Sequence, residues 1–444
     1  MHMPPNEETA LRGESVRHDF VPASDYISPT FAQLEYQRLW PKVWQMVCRE
    51  EELARPGDFV TYDILDDSII VTRKEDGAIG AYFNVCSHRG RRLTQGCGHA
   101  KRFHCKFHGW QFDLEGKPVE IVDQDDWSNR RLREEAALTP VKVDSWGGWV
   151  FINMNPACES LAEFLEPAKS LLDPFEFHKM GYVWRRQIKL PCNWKAALEA
   201  FDESYHVQTT HRQLLPYHDD VSYSKAYGKH GMFGFAPTAL FGLPAPRLGK
   251  QKGDLRTGLY EFNVVLWETL GATTTPELVA ASKRLLDLPE DTPIPEVYAA
   301  FGRFHMEELA KRGISWPAVT LEQQMASGMD WHIFPNMVFL HYPTNLLGYR
   351  ARPDGHDPDS CIFEIYKLER YPDGAKIPRA EVEHAADWRS VEWGLILKQD
   401  FQNLEEVQRG MKVRSFKAAR VNPVKERAIS NFHQTLHRYV KGQG

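Results

Sequence analysis

Two short segments constrain this chain more than anything else in its 444 residues: CSHRG at 86–90 and CKFHGW at 105–110. Each pairs a cysteine with a histidine, as Cys86-x-His88 and Cys105-x-x-His108, with sixteen residues between the pairs. Thiolate and imidazole are both good ligands for zinc and for iron. Two of each suit a tetrahedral zinc ion. They also suit a two-iron, two-sulfur cluster in which the cysteines hold one iron and the histidines the other. In zinc fingers both cysteines precede both histidines, whereas here they interleave, so each loop supplies one ligand of each kind, as a binuclear cluster requires. Gly90, Gly96, Gly98 and Gly109 flank the loops and let backbone amides close around sulfides, and Trp110 is placed to shield the cluster. His99, His104 and Cys97 lie between the pairs and read as loop residues outside the ligand shell. The seven cysteines are an odd and sparse set. That favours a reduced, cytoplasmic setting and metal binding over disulfides.

The texture around these loops is β-rich. Runs such as DFVTYDI, SIIVTR, AYFNVC and GWVFINM alternate with Gly, Asp and Pro turns. The expected organisation is an N-terminal segment (1–42) packing with the catalytic domain, a small all-β domain (43–157), and a catalytic domain (158–444). Residues 1 to about 25 are polar and expected to be poorly ordered, and they do not read as a signal peptide. A helix is expected within SPTFAQLEYQRLWPKVWQMV, ending at Pro41. Past 182, strands (YVWRRQIKL, DWHIFPNMVFLHY, LLGYRAR, CIFEIYKLERY) mix with helices, and a long helix at roughly 380–412 is expected to close the fold. The fold class is α+β, with an antiparallel sheet and its helices on one side. A net charge of −6 argues against nucleic acid and anionic membranes as partners. No apolar run is long enough for a transmembrane helix.

A second constellation lies at 199–211, where EAFDESYHVQTTH gathers Glu199, Asp202, Glu203, His206 and His211. On a helix, Glu203 and His206 share a face. His206 and His211 are five apart, about 140° around an ideal helix. Both reach one metal only if the helix breaks near Val207 to Thr210, where two threonines are weak helix formers. Two imidazoles and one carboxylate would form a non-haem Fe(II) triad with open positions. A charged helix face with hydrogen-bonded histidines is the alternative. The carboxylate is expected from another element. Asp400 falls inside an apolar stripe of Trp393, Ile396, Leu397, Leu404 and Val407, where an unpaired carboxylate would cost several kcal/mol. A metal or a buried salt bridge resolves that cost, and Glu405 and Glu406 are expected to be solvated.

CSHRG…CKFHGW resembles the Rieske cluster signature. Over nearly its whole length the chain resembles the large (alpha) subunit of the Rieske non-haem iron oxygenases, the aromatic ring-hydroxylating dioxygenase family. NWKAALEAFDESYH is similar to that family's Asn-Trp-Lys…Tyr-His stretch. The resemblance implies a Rieske [2Fe-2S] cluster on Cys86, His88, Cys105 and His108, and a mononuclear Fe(II) on His206, His211 and Asp400. It implies a helix-grip (START-like) catalytic domain with an antiparallel sheet. It implies a homotrimer, with or without a beta subunit, in which one subunit's cluster faces the next subunit's iron. It implies an acidic residue three before the first iron histidine that bridges the two centres for electron transfer. Ring-dihydroxylating members mostly carry Asp there. This chain has Glu203, with Asp202 beside it able to share the role, and glutamate occurs in a subset that includes quaternary-amine monooxygenases.

The expected activity is an oxygenase component using O2 on an aromatic or other bulky hydrophobic small organic substrate, by dihydroxylation or monooxygenation. Electrons would come from NAD(P)H through a separate reductase, with or without a ferredoxin, since no Gly-x-Gly-x-x-Gly follows a strand and no flavin motif occurs. O- or N-demethylation at a non-ring position, a non-catalytic Rieske electron carrier with a ligand-binding domain, and a zinc protein are the alternatives. The substrate pocket is expected among the 212–328 loops and the strands near 331–350. Phe233, Phe235, Leu240, Phe241, Met325 and Met337 are apolar candidates for its lining. The 188 residues between His211 and Asp400 suit a bulky or aromatic substrate.

Overall fold

The structure is a computed structural model. It describes residues 16–128, 131–218, 221–236, 238–249 and 253–443. The chain divides into two compact units, residues 35–164 and residues 1–34 together with 165–444.

The smaller unit is built from three antiparallel sheets. Four strands run in the order Ile79–Phe83, Asp67–Arg73, Asp58–Ile64, Cys97–His99. Three more run Lys142–Trp146, Trp149–Asn153, Gln45–Arg49. The third sheet joins Phe103–His104, Gln111–Phe112 and Pro118–Glu120. Apolar residues of the first and third sheets and of the loops beside them close on one core that includes Phe59, Ile70, Leu93, Phe103, Trp110 and Phe112. Cys86 and Cys105 belong to that core. Their loops therefore start from rigid, buried points.

The larger unit is organised by an eight-stranded sheet. Its order is Ser222–Tyr227, His230–Phe235, Asp330–Ile333, Met337–His341, Asn345–Asp354, Asp357–Arg370, Met180–Leu190, Glu383–Ala385. Only the last pairing is parallel. Directly opposed residues in an antiparallel ladder share a face. Gly231, His332, Val338, Tyr349 and Ile365 form one such row. Phe233, Asp330, Leu340, Leu347 and Lys367 form the next row on the same face. Helices cover this face. Phe201, just after helix Trp194–Glu199, stacks on Tyr349 (centroids 4.0 Å) and Phe363 (5.6 Å). Phe432 of helix Arg427–Val440 lies on His332 at 4.7 Å. The same helix comes so close that a Cβ on Gly231 would sit 2.6 Å from the Ala428 Cβ.

Three expectations need correction. The long helix spans Gly394–Met411 and does not reach back to 380. Gly394 takes φ +75°, and a Cβ there would meet the Thr269 carbonyl at 2.4 Å, so the chain turns left-handed at that point. Upstream, residues 383–385 are a strand. The closing helix is Arg427–Val440, whose buried stripe of Ala428, Ile429, Phe432, Leu436 and Val440 is interrupted by polar residues. Finally, residues 16–25 are ordered: Phe20–Pro22 pairs with Ala418–Arg420, and Val21 and Asp25 are buried. Residues 1–15 lie outside the described residues.

Asp25 shows what ties the N-terminal segment down. Its Oδ2 meets His433 Nδ1 and His437 Nε2, both at 2.8 Å. His433 Nε2 reaches Glu199 Oε1 at 2.6 Å, and Tyr26 donates its hydroxyl to Glu199 Oε2 at 2.7 Å. Burial opposes the charge on His433, but Glu199 and Asp25 on either side raise its pKa to about 9. This ion network stabilises the fold fully below the ordinary histidine pKa of about 6.5, and the contribution fades as pH climbs through about 9. His433→Leu removes the cation shared by buried Asp25, which keeps only His437, and half-buried Glu199, and is expected to cost about 3 kcal/mol. Urea unfolding from pH 6 to pH 10 checks this: wild-type stability should decline through that window, and the variant's should start lower and stay flatter.

Candidate metal centres

The two cysteine–histidine loops of the smaller unit are built alike. Gly90 N–H donates to the Cys86 carbonyl at 2.9 Å, and Gly109 N–H to the Cys105 carbonyl at 3.0 Å. Cys86 N–H donates to the Arg91 carbonyl and Cys105 N–H to that of Trp110, each at 2.8 Å. Both glycines take left-handed φ, +76° and +78°, so each loop turns back sharply after its histidine. The thiols are buried and interact directly. The imidazoles of His88 and His108 meet edge-on with centroids 4.5 Å apart and are half-buried. Trp110 stacks on His88 at 4.9 Å, and Trp127 packs edge-on against both rings at 5.7 Å.

The sulfur pair and the nitrogen pair therefore each converge, but the four do not converge on one point. Among the described residues, the one group of three or more potential ligands whose atoms lie within 4.8 Å of one another is elsewhere. This separation is what two metal ions require and what a single zinc ion does not. The donor set thus fits a [2Fe-2S] cluster with its cysteine end in the core and its histidine end toward solvent. His99 is engaged by Asp58 at 3.0 Å, and Cys97 and His104 are exposed.

The convergent group is His206, His211 and Asp400, in the larger unit. The helix break expected near Val207 to Thr210 comes earlier in the chain. Helix Trp194–Glu199 ends early, and short 3₁₀ turns follow at Tyr205–Gln208 and Arg212–Leu214. The break falls before Ser204, not at the threonines. Glu203 explains it: its Oε2 accepts from the backbone N–H of Tyr205 and of His206, capping a new turn. His206 and His211 then approach with centroids 5.0 Å apart.

Asp400 comes from helix Gly394–Met411, 5% exposed, on the stripe formed by Ile396, Leu397, Phe401 and Leu404. Val407, expected in that stripe, is exposed. Asp400 Oδ1 lies 3.0 Å from His211 Nε2 and 3.7 Å from His206 Nε2. The other ring nitrogens are engaged from outside. Glu203 Oε1 takes His206 Nδ1 at 2.6 Å, and Gln399 Oε1 takes His211 Nδ1 at 2.9 Å. Carboxylate and amide oxygens only accept, so each Nδ1 carries a proton, and Nε2 is the nitrogen left to bind a metal once the ring is neutral. Two neutral imidazoles and one carboxylate, held by outer acceptors, suit a non-haem iron with open positions. Glu405 and Glu406 pair with Arg389 and Arg409 at the surface.

Two neighbours were not legible in the sequence. Gln399 is one, adjacent to Asp400 but without any motif to mark it. Glu426 is the other: burial, opposed by its bond from Asn422 N–H, together with the Glu203 and Glu199 charges, pushes its pKa up to about 7. Asp202 does not reach His206. Its Oδ2 holds His332 Nδ1 at 2.7 Å instead. Of the lining candidates, Phe233 projects on the helix-covered face, and Phe235 and Phe241 pack edge-on around His218. Met337 opposes Arg350 and Ile333 on the other face, and Met325 is 53% exposed, so neither lines that layer.

Residues 43–133 match the Rieske [2Fe-2S] domain family. Residues 177–258 and 298–442 match the ring hydroxylating alpha subunit (catalytic domain) family, which is about half of the chain. The chain belongs to the ring-hydroxylating alpha-subunit family. Members of this family are oxygen-incorporating oxidoreductases that use a Rieske cluster and a mononuclear iron and receive electrons from a reductase. The chain is 33% identical over 194 residues to the carnitine monooxygenase oxygenase subunit of Escherichia coli (strain K12), 43% of this chain and 52% of that one. It is 30% identical over 191 residues to the benzene 1,2-dioxygenase subunit alpha of Pseudomonas putida, 42% of each. The chain spans about half the length of the curated relatives it matches. In fold it is similar to a quaternary ammonium Rieske monooxygenase in complex with L-carnitine (TM-score 0.64, 18% identity, 99% of both chains). It is also similar to naphthalene 1,2-dioxygenase with indole bound (TM-score 0.67, 19% identity, 96% of this chain and 93% of that one). Among the described residues, no helix is long and apolar enough to cross a membrane.

Proposed function

We propose that this chain is the oxygenase component of a Rieske oxygenase system that inserts one atom of O2 into an organic substrate: RH + O2 + 2e⁻ + 2H⁺ → ROH + H2O. The observation that carries the reading is the convergence of His206, His211 and Asp400, with Glu203 on the outer nitrogen of His206. When bound, the cluster on Cys86, His88, Cys105 and His108 supplies single electrons, and the iron on His206, His211 and Asp400 supplies O2 activation. The protein supplies the rest. Glu203 and Gln399 hold both imidazoles in the tautomer that frees Nε2. Phe201, Tyr349, Phe363 and Phe401 form an aromatic layer beside Asp400 that excludes water. His88 and His108 carry electrons at the half-buried end of their loops, and the Glu203–His206 hydrogen bond offers the conducting entry to the second centre. Electrons come from NAD(P)H through a separate reductase, and the chains assemble as a homotrimer.

Glutamate at 203 and the likeness to carnitine monooxygenases support insertion of one oxygen over two. The likeness to benzene 1,2-dioxygenase alpha subunits favours ring dihydroxylation as the second reading. Product mass after turnover under ¹⁸O2 with a surrogate reductase separates them. One labelled atom is expected, and two would replace the first reading by the second. Iron content should be about three per chain, two in the cluster and one beside Asp400. A value of two, with a Rieske spectrum, would leave an electron carrier without a catalytic centre.

A further inference from the structure

One carboxyl on the helix-covered face of the sheet has no structural work to do. Asp330 is 1% exposed, and its Oδ2 is buried without a hydrogen-bond partner. By register it stands opposite Phe233 on one side and Leu340 on the other. It therefore projects into the layer that Phe201 and the elements bearing His206, His211 and Asp400 cover. Tyr349, in the neighbouring row, lies within electrostatic reach of both Asp330 and Asp400. The nearby cations are already engaged. His332 is held by Asp202, and Lys367, in the same row as Asp330, is bonded to the Thr274 carbonyl and to Glu369. Asp202 adds a second buried carboxyl with one unpartnered oxygen, Oδ1. His332 has no nitrogen left for Asp330, since its Nε2 meets the Pro335 carbonyl at 2.9 Å.

Such a group is costly to keep. An unpaired buried carboxylate loses several kcal/mol of hydration, and native proteins rarely leave one without a reason. A purely structural residue at this position would be apolar, like its neighbours Leu340 and Phe233. A proton removes the charge, but Oδ2 still lacks a hydrogen-bond partner that the chain could supply.

Building on the oxygenase reading above, we propose that Asp330 anchors a positively charged nitrogen of the substrate, a protonated or alkylated amine carried on an apolar body. The surroundings suit such a cation. Phe233 stands directly across the strand, and Tyr342 and Tyr349 lie within electrostatic reach of the carboxyl. Aromatic faces and a carboxylate together are the usual recognition of an ammonium group. Burial and the Asp202 charge hold the Asp330 carboxyl well above the ordinary carboxylate range. With no ligand it therefore keeps its proton, and an arriving cation releases that proton to water. The anchor sets the substrate's orientation, presenting a carbon next to the charged nitrogen, or elsewhere on the apolar body, toward Asp400 and the two histidines.

The test compares a matched pair of probes on the iron-loaded enzyme: phenyltrimethylammonium and its neutral isostere tert-butylbenzene. Dissociation constants are read by calorimetry, independently of turnover. Wild type should prefer the cation by at least about tenfold, and Asp330→Asn, which keeps the shape and removes the charge, should erase the preference. Asp330→Glu should keep part of it. Because the substitution to Asn removes a buried ionisable group, it should fold with an unchanged or higher Tm, and iron content and the cluster's EPR signal should match wild type. Equal affinity of wild type for the two probes, or a preference surviving in Asp330→Asn, overturns the proposal. A preference lost on substitution in a protein that oxygenates none of the amines tested supports the anchor while sinking the oxygenase reading, so the two fail separately.

Discussion

Replacing Asp400 by alanine should abolish turnover while leaving the Rieske spectrum of the reduced protein unchanged. The two centres draw on different residues: the loops of Cys86, His88, Cys105 and His108 belong to one compact unit, and Asp400 belongs to the other. Asp400 is the carboxylate within the convergent group, 3.0 Å from His211 Nε2. Two imidazoles alone bind ferrous iron weakly, so iron content should drop from about three to about two per chain. Asp400→Ala should not unfold the protein, since in the metal-free state it deletes a buried carboxylate and leaves a small cavity beside Leu397 and Leu404. Retained turnover would mean that another carboxylate completes the site. Glu426, within electrostatic reach of His206, is the residue to replace next.

The parts of these sites that the sequence shows are those whose chemistry is local. Cys86 and His88 lie two residues apart, Cys105 and His108 three, and each loop closes on a glycine four residues past its cysteine. No long-range information is needed to see a metal site there. Asp400 is visible for a different reason. A carboxylate among Ile396, Leu397 and Leu404 contradicts the pattern around it, and such conflicts mark functional positions. Other features depend on contacts that span the chain. The helix that starts at Trp194 ends at Glu199, and the residues after it are held from afar as well as by the Glu203 cap: Glu199 meets His433 and Asp202 meets His332, partners 234 and 130 residues away. Threonine propensity at 209 and 210 carried no such information. In the closing helix His433 faces Asp25 inside the fold, and nothing local marks so polar a residue as buried. Gln399 and Asp330 have ordinary sequence contexts, and only the sheet register and the hydrogen bonds single them out.

Glu203→Gln is expected to leave iron content and cluster reduction near wild type and to lower turnover about 10- to 100-fold. Glu203 acts through His206. Its Oε1 holds the Nδ1 proton at 2.6 Å, and its Oε2 caps the turn that carries the histidine. Glutamine keeps an acceptor oxygen but loses the charge, so the ring stays roughly placed while the imidazole becomes a poorer donor of electron density. A purely structural role would predict a lower Tm and little else. Two further measurements separate the roles. The first is the rate at which the reduced cluster is reoxidised when substrate and O2 are added, which should fall with turnover. The second is the pH at which iron-free protein takes up Fe(II). Burial works against the charge on His206, yet Glu203 and Asp400 raise its pKa to about 9 in the metal-free state. A ligand must be neutral to bind, so uptake in wild type has to displace that proton and should improve as pH rises toward 9. Without the Glu203 charge the proton leaves more easily, and the uptake curve should move to lower pH even as turnover drops. An uptake curve that stays in place while turnover falls would show that Glu203 does not control the His206 proton, and its part would reduce to the conducting contact between the two centres.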